Sequence, residues 1–352
     1  MQIVFYVSGH GFGHASRSIE LIRALLTRRP DARVVVRTAA PPRLFGAIAD
    51  AHAAMIDVHT VEADTGIVQV DSLRLNEEDT VREAARFYAT FDRRVAWEAV
   101  LLQRERTAVV IGDIPPLAFA AAARAGVPSV AVGNFTWDWI YSIYPAFDRL
   151  APDVVPEIRR AYATATRALR LPLHGGFEPM AAVTRDIPFI ARRSARDPAD
   201  TRRVLRLDAG RPIVLPSFGA YGADLPIEQL KRSDRFTLIE PVQDPPYGLL
   251  YQDLVAAADV VVSKPGYGIV SECIANRTSL LYTSRGRFAE YDLFVEEMPR
   301  VVRCRHISQE DLLAGRWEDA IDALVRQPAP PERPRVDGAE VAVDAILNLG
   351  IG

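Results

Sequence analysis

The fold can be inferred most directly from residues 265–294, which read P-G-Y-G-I-V-S-E-C-I-A-N-R-T-S-L-L-Y-T-S-R-G-R-F-A-E-Y-D-L-F. An apolar run, Asp259–Ser263, comes just before this stretch and is followed by Lys264. The pattern predicts a buried strand, a glycine turn, a helix that carries Glu272 and a second strand over Ser279–Thr283. This order of elements is typical of a parallel α/β sheet. A loop rich in basic and acidic residues is predicted to follow the second strand.

The glycine turn and the charges around it indicate a ligand for this stretch. Glycine lets backbone amides approach an anion closely, and the helix that follows favours negative charge at its N-terminus. Lys264 adds a full positive charge at the same place. The carboxylate of Glu272 can accept a hydrogen bond from each of two hydroxyls, which suits a sugar diol. Diphosphate and ribose together describe a nucleotide, so we predict a nucleotide site here.

The same alternation of strands and helices runs through the whole chain. Short apolar runs predict buried parallel strands at 3–7, 34–36, 55–59, 108–111, 129–132, 168–171, 213–217, 236–240, 259–263, 279–283 and 301–303. We therefore expect an α/β protein with two Rossmann-like domains facing across a cleft. The expected domains are 1–175 and 176–334, followed by a C-terminal helix, 335–352, that can pack back on the first domain.

Composition narrows the classes of function. A chain of 352 residues is long enough for two domains, and its net charge of −3 argues against nucleic-acid binding driven by phosphate neutralisation. The two cysteines, Cys273 and Cys304, are too few for a disulfide framework or a zinc site. The N-terminus begins directly with a strand rather than a signal peptide, and no apolar run reaches the length of a membrane helix. We therefore expect a cytoplasmic protein without a membrane span.

Two histidines lie on a glycine-rich loop, Ser8–His14, between the first strand and its helix. The spacing is similar to a dinucleotide fingerprint, but the acidic residue expected about 20 positions later is missing. We favour a general base, His14, over a histidine that only caps the helix. Asp113 ends another strand of the same sheet and is the candidate partner that would orient the base, although it could instead cap the turn before Pro115.

The segment N-F-T-W-D-W-I-Y, residues 134–141, follows a strand and contains four large aromatic side chains. These side chains could belong to the core or a domain interface, or they could contact a ligand, and both interpretations stay open. We find no D-x-D triplet, and the H-x-x-x-H spacing of the histidines lies on a glycine loop rather than a helix, so no metal or other cofactor is predicted. A departing diphosphate would then be stabilised by Lys264, Arg285 or Arg287 and the helix dipole.

These motifs resemble a known family. The G-F-G-H loop and the G-x-x-S-E helix resemble GT-B glycosyltransferases, and the helix is similar to the donor site of MurG-like enzymes that use UDP-sugars. The segments G-H-G-F-G-H-A-S-R, N-F-T-W-D-W-I-Y and K-P-G-Y-G-I-V-S-E resemble the glycosyltransferase-like N-terminal region of plant L-arabinokinases. The sequence has no phosphate loop of the GHMP kinase type, so this resemblance implies the fold and a nucleotide-sugar site but not arabinose phosphorylation.

The resemblance also implies roles for residues. It assigns the ribose to Glu272 and the donor sugar to Glu290 and Asp292. It also matches His14 and Asp113 to the histidine–aspartate dyad of plant-type UDP-glycosyltransferases. The full set of expected donor contacts is Ser217, Gly219, Lys264, Gly266, Gly268, Ser271, Glu272, Arg287, Glu290 and Asp292. The expected acceptor contacts are His10, Gly11, Asn134, Trp137 and Asp138.

We therefore expect a metal-independent glycosyltransferase that needs no cofactor. It would move a sugar from a nucleotide-sugar, by default a UDP-sugar, to a hydroxyl of a sugar or small-molecule acceptor, with His14 as the base. Two alternatives stay open. A UDP-sugar epimerase of the same fold would turn over the donor without an acceptor, and a non-catalytic nucleotide-sugar-binding protein would be indifferent to loss of His14.

Overall fold

A computed structural model of the chain describes residues 1–52, 54–208, 210–219, 222–240 and 245–349, apart from the side chain of Ala47. The last three residues of the expected C-terminal helix, 350–352, lie outside the described residues. The chain forms two compact units. Unit 1 comprises Met1–Gln69, Leu75–Ile190 and Asp337–Gly352, and unit 2 comprises Val70–Arg74 and Ala191–Val336.

The strands, in chain order, are β1 (Gln2–Val7), β2 (Arg33–Thr38), β3 (Ile56–Thr60), β4 (Thr107–Asp113), β5 (Ser129–Gly133), β6 (Arg167–Arg170), β7 (Thr184–Asp186), β8 (Ile213–Ser217), β9 (Thr237–Leu238), β10 (Val260–Ser263), β11 (Ser279–Tyr282) and β12 (Cys304–His306). The helices are α1 (Phe12–Arg28), α2 (Arg43–Ala51), α3 (Glu77–Tyr88), α4 (Phe91–Arg104), α5 (Pro116–Ala125), α6 (Trp137–Ser142), α7 (Ala146–Leu150), α8 (Val154–Tyr162), α9 (Pro198–Val204), α10 (Ile227–Leu230), α11 (Tyr251–Ala257), α12 (Tyr267–Asn276), α13 (Ala289–Val301), α14 (Gln309–Leu313), α15 (Glu318–Val325) and α16 (Gly338–Leu347).

The sheet of unit 1 is parallel and has the order β3-β2-β1-β4-β5-β6-β7. Its central strands are buried on both faces, as their continuous apolar sequences predict. Local signals fix the helix ends. The Asn76 side chain accepts a hydrogen bond from the Asp79 amide at the start of α3, and Gly126 ends α5 in a left-handed conformation.

The sheet of unit 2 is also parallel, with the order β12-β11-β10-β8-β9. One short segment from the first half of the sequence, Val70–Arg74, belongs to this unit. Leu73 joins its hydrophobic core, and the Ser72 hydroxyl donates a 2.6 Å hydrogen bond to the carbonyl of Phe218. The α/β class and the two-sheet architecture predicted from the sequence are confirmed.

Three local predictions differ from the structure. The first domain was expected to end at residue 175, but β7 pairs with β6, so unit 1 continues beyond that residue. The charged loop predicted after β11 is partly helical, because α13 begins at Ala289, and the last strand lies at 304–306 rather than 301–303. Glu290 and Asp292 lie in the first turn of α13, where acidic side chains favour a helix, so they are not loop residues.

Helix α16 packs on α1 within unit 1. Arg28 forms a 2.6 Å ion pair with Asp344, and Arg167 donates to the carbonyl of Ala345. A side chain at Gly338 would lie 2.1 Å from the carbonyl oxygen of Pro188, so only glycine lets the helix start so close to that segment. Across the residues that the structure describes, no helix is long and apolar enough to cross a membrane.

Candidate functional site

The topology of unit 1 brings the predicted base and its partner together. β1 and β4 are neighbours in register, with Val7 opposite Asp113, so both strands end at the same edge of the sheet. Gly11 then starts α1 with φ of 79°, which glycine adopts without strain, and His14 lies in the first turn. The Asp113 carboxylate lies 2.8 Å from Nδ1 of His14, and both residues are more than 90% buried.

An ionised carboxylate only accepts hydrogen bonds, so the contact with Asp113 favours the tautomer that carries its proton on Nδ1 of His14. Nε2 then keeps its lone pair and can accept a proton from a hydroxyl. A terminal nitrogen of Arg17, which can only donate, lies 3.0 Å from the same Nδ1 and competes with this arrangement. The ring of Phe135 packs edge-on against the imidazole, with centroids 5.5 Å apart. His14 is therefore held in the orientation that a general base requires.

Arg17, one turn after His14, joins this network and was not predicted. Its Nε donates to Oδ2 of Asp113 at 2.7 Å, and one terminal nitrogen contacts Oδ1. The other terminal nitrogen donates to Oδ1 of Asn134 at 2.7 Å, and the Ser18 hydroxyl donates to Oδ2 of Asp113. Burial opposes ionisation of Asp113, but the charges of Arg17 and His14 and their hydrogen bonds hold the pKa of its carboxyl below the ordinary value.

A second buried carboxylate, Asp64, was also missed. The Ser8 hydroxyl donates to its Oδ1 at 3.1 Å, and the indole nitrogen of Trp137 donates to its Oδ2 at 2.8 Å. Burial raises the pKa of Asp64, while the Ser8 hydrogen bond and the nearby His14 lower it. Asp64 therefore ties the loop after β3 to Trp137, one of the predicted acceptor residues.

His10 anchors the loop at 66–69. The Ile67 amide donates to its Nδ1 at 3.2 Å, so the proton lies on Nε2, which is 3.2 Å from the side-chain amide of Gln69. That assignment requires the oxygen of the Gln69 amide to face the ring. A side chain at Gly66 would lie 2.7 Å from this ring, so the loop closes tightly over His10.

The remaining predicted acceptor residues have different surroundings. Asn134 and Trp137 are buried within the network of hydrogen bonds around His14 and Asp64. Asp138, in the first turn of α6, forms a 3.1 Å ion pair with Arg159, and its other carboxylate oxygen is buried without a partner among the described residues. The structure therefore does not bring Asp138 into the hydrogen-bond network of His14.

In unit 2, the glycine turn after β10 leads directly into a helix, α12. Lys264 follows the end of β10, and Gly266 is the N-cap of the ten-residue helix α12. Burial lowers the pKa of Lys264 to about 7, with a further lowering by the charge of Arg285 and an opposing effect of Asp71. Arg285 donates to the carbonyl of Pro265 at 3.3 Å. Two cationic side chains therefore border the N-terminus of α12.

The neighbouring strand β8 ends beside this turn. Ser217 is in register with Ser263 at the end of β10, and the Ser263 hydroxyl donates to the Ser217 carbonyl. The hydroxyls of Ser217 and Tyr251 are hydrogen-bonded to each other. Gly219 follows with φ of 65°, in the region that glycine adopts most easily. Predicted donor residues from two strands thus lie at one edge of the sheet.

Two further predicted donor residues lie inside α12. The Ser271 hydroxyl donates back to the carbonyl of Gly268 at 2.9 Å. Glu272 is buried and paired with Arg192, whose Nε donates to its Oε1 at 2.6 Å. Burial raises the pKa of Glu272, and the charge and hydrogen bond of Arg192 oppose that rise. Arg192 was not predicted, because it lies 80 residues away in sequence.

The predicted donor residues after β11 differ in their exposure to solvent. Arg287 and Asp292 are exposed, whereas Glu290 is buried. Arg285 lies flat on the ring of Phe288, with its guanidinium carbon 3.4 Å from the ring centroid. Among the His, Cys, Asp and Glu side chains that the structure describes, no group of three or more is placed to hold a metal ion.

Comparison with solved structures identifies the architecture. The chain aligns over 99% of its length with 98% of the glycotransferase of kitacinnamycin, with a TM-score of 0.61 at 19% identity. It aligns over 98% of its length with 97% of the calicheamicin glycosyltransferase CalG4, with a TM-score of 0.61 at 14% identity. For MurG of Acinetobacter baumannii, 99% of each chain is covered, with a TM-score of 0.51 at 11% identity. This chain has the GT-B fold.

Sequence comparison gives a second similarity. The chain is 28% identical over 370 aligned residues to an L-arabinokinase of Arabidopsis thaliana, and the alignment covers 99% of the chain. The chain spans about a third of that protein, since the alignment covers 34% of its length. No protein-family model matches the chain.

Within the GT-B fold, the predicted residues form two groups. His14, Asp113 and Asn134 are linked by hydrogen bonds through Arg17 in unit 1. In unit 2, Ser217 and Lys264 lie where β8 and β10 end, and Gly266 begins α12, which carries Gly268, Ser271 and Glu272. Glu290 and Asp292 lie in the first turn of α13 instead. The signal for Arg17 was available, because residues three apart on a helix share a face with His14. No local signal pointed to Asp64 or Arg192, whose partners are distant in sequence.

Proposed function

We propose that the chain is a glycosyltransferase that binds a nucleotide-sugar through unit 2 and activates an acceptor hydroxyl with His14 of unit 1. The observation that carries this proposal is the buried pair of His14 and Asp113, with Nδ1 and Oδ1 2.8 Å apart. A histidine whose Nδ1 donates to a carboxylate can abstract a proton from an acceptor hydroxyl through Nε2.

The donor half of the proposal depends on the N-terminus of α12. The positive end of the helix dipole at this N-terminus attracts a diphosphate, and Lys264 and Arg285 add positive charge. Glu272, two turns into the same helix, would accept hydrogen bonds from the ribose. Gly266 has no side chain to keep the phosphates away from the backbone.

The ligands bound to two structural neighbours support this choice of donor class. The glycosyltransferase UGT2 of Phytolacca americana was solved with UDP-2-fluoro-glucose, with a TM-score of 0.57 to this chain. The glycosyltransferase VinC was solved with dTDP, with a TM-score of 0.52. We take UDP as the default nucleotide of the donor.

The proposed transfer is a direct displacement. The acceptor hydroxyl oxygen bonds to the anomeric carbon while the bond from that carbon to the diphosphate oxygen breaks. The acceptor proton passes to Nε2 of His14, and the electron pair leaves with the diphosphate, which Lys264 and the N-terminus of α12 stabilise. The anomeric configuration inverts. Since these groups supply the positive charge, the proposal needs no metal.

One observation favours a second candidate, a nucleotide-sugar-binding protein without transfer activity. Arg17 neutralises Asp113 and lies within 3.0 Å of Nδ1 of His14. A carboxylate already paired with arginine stabilises an imidazolium less than an unpaired carboxylate would. If this effect dominates, His14 is a poor base and only the binding function of unit 2 remains.

The donor site can be tested by calorimetric titration with UDP, GDP, ADP and dTDP in the presence of EDTA. We expect one of these nucleotides to bind to the wild type, and Glu272→Ala to abolish that binding. Glu228→Ala, which removes an exposed carboxylate of the same unit, is the matched control and should bind normally. If none of the four nucleotides binds, the fold stands and the proposed reaction is wrong.

A further inference from the structure

Arg192 is attached to the predicted ribose carboxylate by both its side chain and its backbone. Nε and one terminal nitrogen of its guanidinium each lie 2.6 Å from Oε1 of Glu272. The side-chain amide of Asn276 donates to the carbonyls of both Arg192 and Glu272, at 3.0 and 2.9 Å. Arg192 therefore cannot shift independently of the helical turn that carries Glu272.

A second contact holds the guanidinium from another direction. Its carbon lies over the ring of Tyr251, 5.3 Å from the centroid, a distance at which a cation is attracted to the aromatic face. The Tyr251 hydroxyl is hydrogen-bonded to the Ser217 hydroxyl at the end of β8. Arg192 thus links Glu272 to the strand end that borders the glycine turn.

The two carboxylate oxygens of Glu272 differ in their hydrogen-bond partners. Oε1 receives both contacts from Arg192, whereas no donor in the described part of the chain reaches Oε2. A carboxylate oxygen has two lone pairs, enough for two hydroxyl donors. The guanidinium thus leaves Oε2 available to a ligand, and its contacts with Oε1 set the position of Oε2.

We propose that Arg192 is a positioning residue that engages Oε1 of Glu272 and presents Oε2 to the 2′- and 3′-hydroxyls of the donor ribose, so that the site requires a ribonucleotide. This inference rests on the proposed nucleotide site. It goes further by naming the residue that orients the carboxylate and by predicting that a 2′-deoxynucleotide binds poorly. A site that hydrogen-bonds a hydroxyl rejects the analogue that lacks it, because its polar group is left unpaired.

The charge of Arg192 gives this role a measurable signature. Arg192, Tyr251 and Cys273 are the titratable side chains whose electrostatic interactions with Glu272 the structure gives. Burial raises the pKa of both Tyr251 and Cys273, so both are neutral between pH 5 and 8. Burial raises the pKa of Glu272, and Arg192 is the group that opposes this rise. Without Arg192 the pKa of the carboxyl should rise further, and a protonated carboxyl accepts fewer hydrogen bonds than a carboxylate.

The experiment measures the affinity of UDP relative to 2′-deoxy-UDP from pH 5.5 to 8. Both ligands carry the same diphosphate, so the ratio cancels the contributions of Lys264 and of phosphate ionisation. We expect the wild type to prefer UDP about tenfold or more at every pH. In Arg192→Gln the ratio should be lower than in the wild type and should fall further as the pH falls. Arg192→Lys, which keeps the charge, should restore part of the preference at low pH.

Arg193→Gln is the matched control, because Arg193 is the adjacent residue and is exposed. It should behave as the wild type. An unchanged ratio in Arg192→Gln would overturn the inference and leave the proposed function intact. So would an equal loss of both ligands accompanied by a lower melting temperature, since that is the result of a purely structural role. If the wild type binds none of UDP, GDP, ADP and dTDP, the proposed function itself fails, and the inference fails with it. If it binds dTDP alone, the proposed function stands and the inference fails.

Discussion

Arg17 contacts both carboxylate oxygens of Asp113, with its Nε 2.7 Å from Oδ2 and a terminal nitrogen against Oδ1. Both side chains are almost completely buried. The same carboxylate accepts the Nδ1 proton of His14, so Asp113 is hydrogen-bonded both to a permanently charged guanidinium and to an imidazole that can gain or lose a proton. The chemistry of unit 1 depends on how Asp113 divides its charge between these two partners.

The orientation of His14 can be tested through Asp113→Asn. The amide can present its NH₂ group to Nδ1, which moves the imidazole proton to Nε2 and removes the lone pair that should accept the acceptor proton. We expect the transfer rate to fall by about 10²–10⁴-fold while nucleotide affinity stays unchanged. Asp57→Asn, at an exposed position of β3, is the control. A variant that retains full transfer activity would show that Asp113 does not orient the base.

Arg17→Met tests whether the buried ion pair stabilises unit 1. Methionine keeps much of the side-chain volume but leaves Asp113 without its guanidinium, so we expect a loss of about 3–5 kcal/mol in the free energy of unfolding. Denaturant titration at pH 7 measures it. Arg23→Met, on the exposed face of the same helix, should cost less than about 1 kcal/mol. Equal and small losses in both variants would contradict the assigned role of the pair.

The pKa of Lys264, about 7, predicts a pH dependence of nucleotide binding. A diphosphate binds the protonated lysine, so affinity should fall as the pH rises from 7 to 9, where the terminal phosphate of UDP is already ionised. Calorimetry in buffers of different ionisation enthalpy should detect proton uptake on binding near pH 7–8. Lys264→Arg should lose this pH dependence, because arginine stays charged throughout. A flat profile in the wild type would show that Lys264 does not contact the diphosphate.

The effect of Lys264 on folding stability has the opposite pH dependence. Its pKa is lowered in the folded state, so the unfolded chain binds more protons between about pH 7 and the ordinary lysine value. The contribution of Lys264 therefore increases the free energy of unfolding, and so stabilises the folded state, as the pH rises through that window. Binding and stability should thus respond to pH in opposite directions, which separates this lysine from one that is merely exposed.

Leu73→Ala tests the assignment of segment 70–74 to unit 2. Leu73 is buried in the core of that unit with Val214, Trp317 and their neighbours. Truncation should cost about 2–5 kcal/mol, seen as a lower midpoint for the transition of unit 2 in denaturant. Val70→Ala, at an exposed position of the same segment, should change stability by less than about 0.5 kcal/mol. If both substitutions have the same small effect, the segment does not contribute to that core.

The strands and the glycine turn were predictable because their signals are local. Continuous apolar runs predicted β1 and β10 to within about one residue, and Gly266 predicted the start of α12. Helix α13 was missed because its charged first turn resembles a loop and Pro299 lies inside it. Asp64 and Arg192 could not be found, since their partners Ser8 and Glu272 are 56 and 80 residues away. Only tertiary packing brings such polar groups together.

The central claim, glycosyl transfer with His14 as the base, is tested most directly by comparing wild type and His14→Ala. The wild type is incubated with the nucleotide-sugar whose nucleotide binds, with and without a pool of sugar and small-molecule acceptors, and released nucleoside diphosphate is measured. We predict release that requires an acceptor in the wild type and falls about 10²–10⁴-fold in His14→Ala, with nucleotide affinity unchanged. Equal release by the two proteins, or conversion of the donor without any acceptor, would contradict the account.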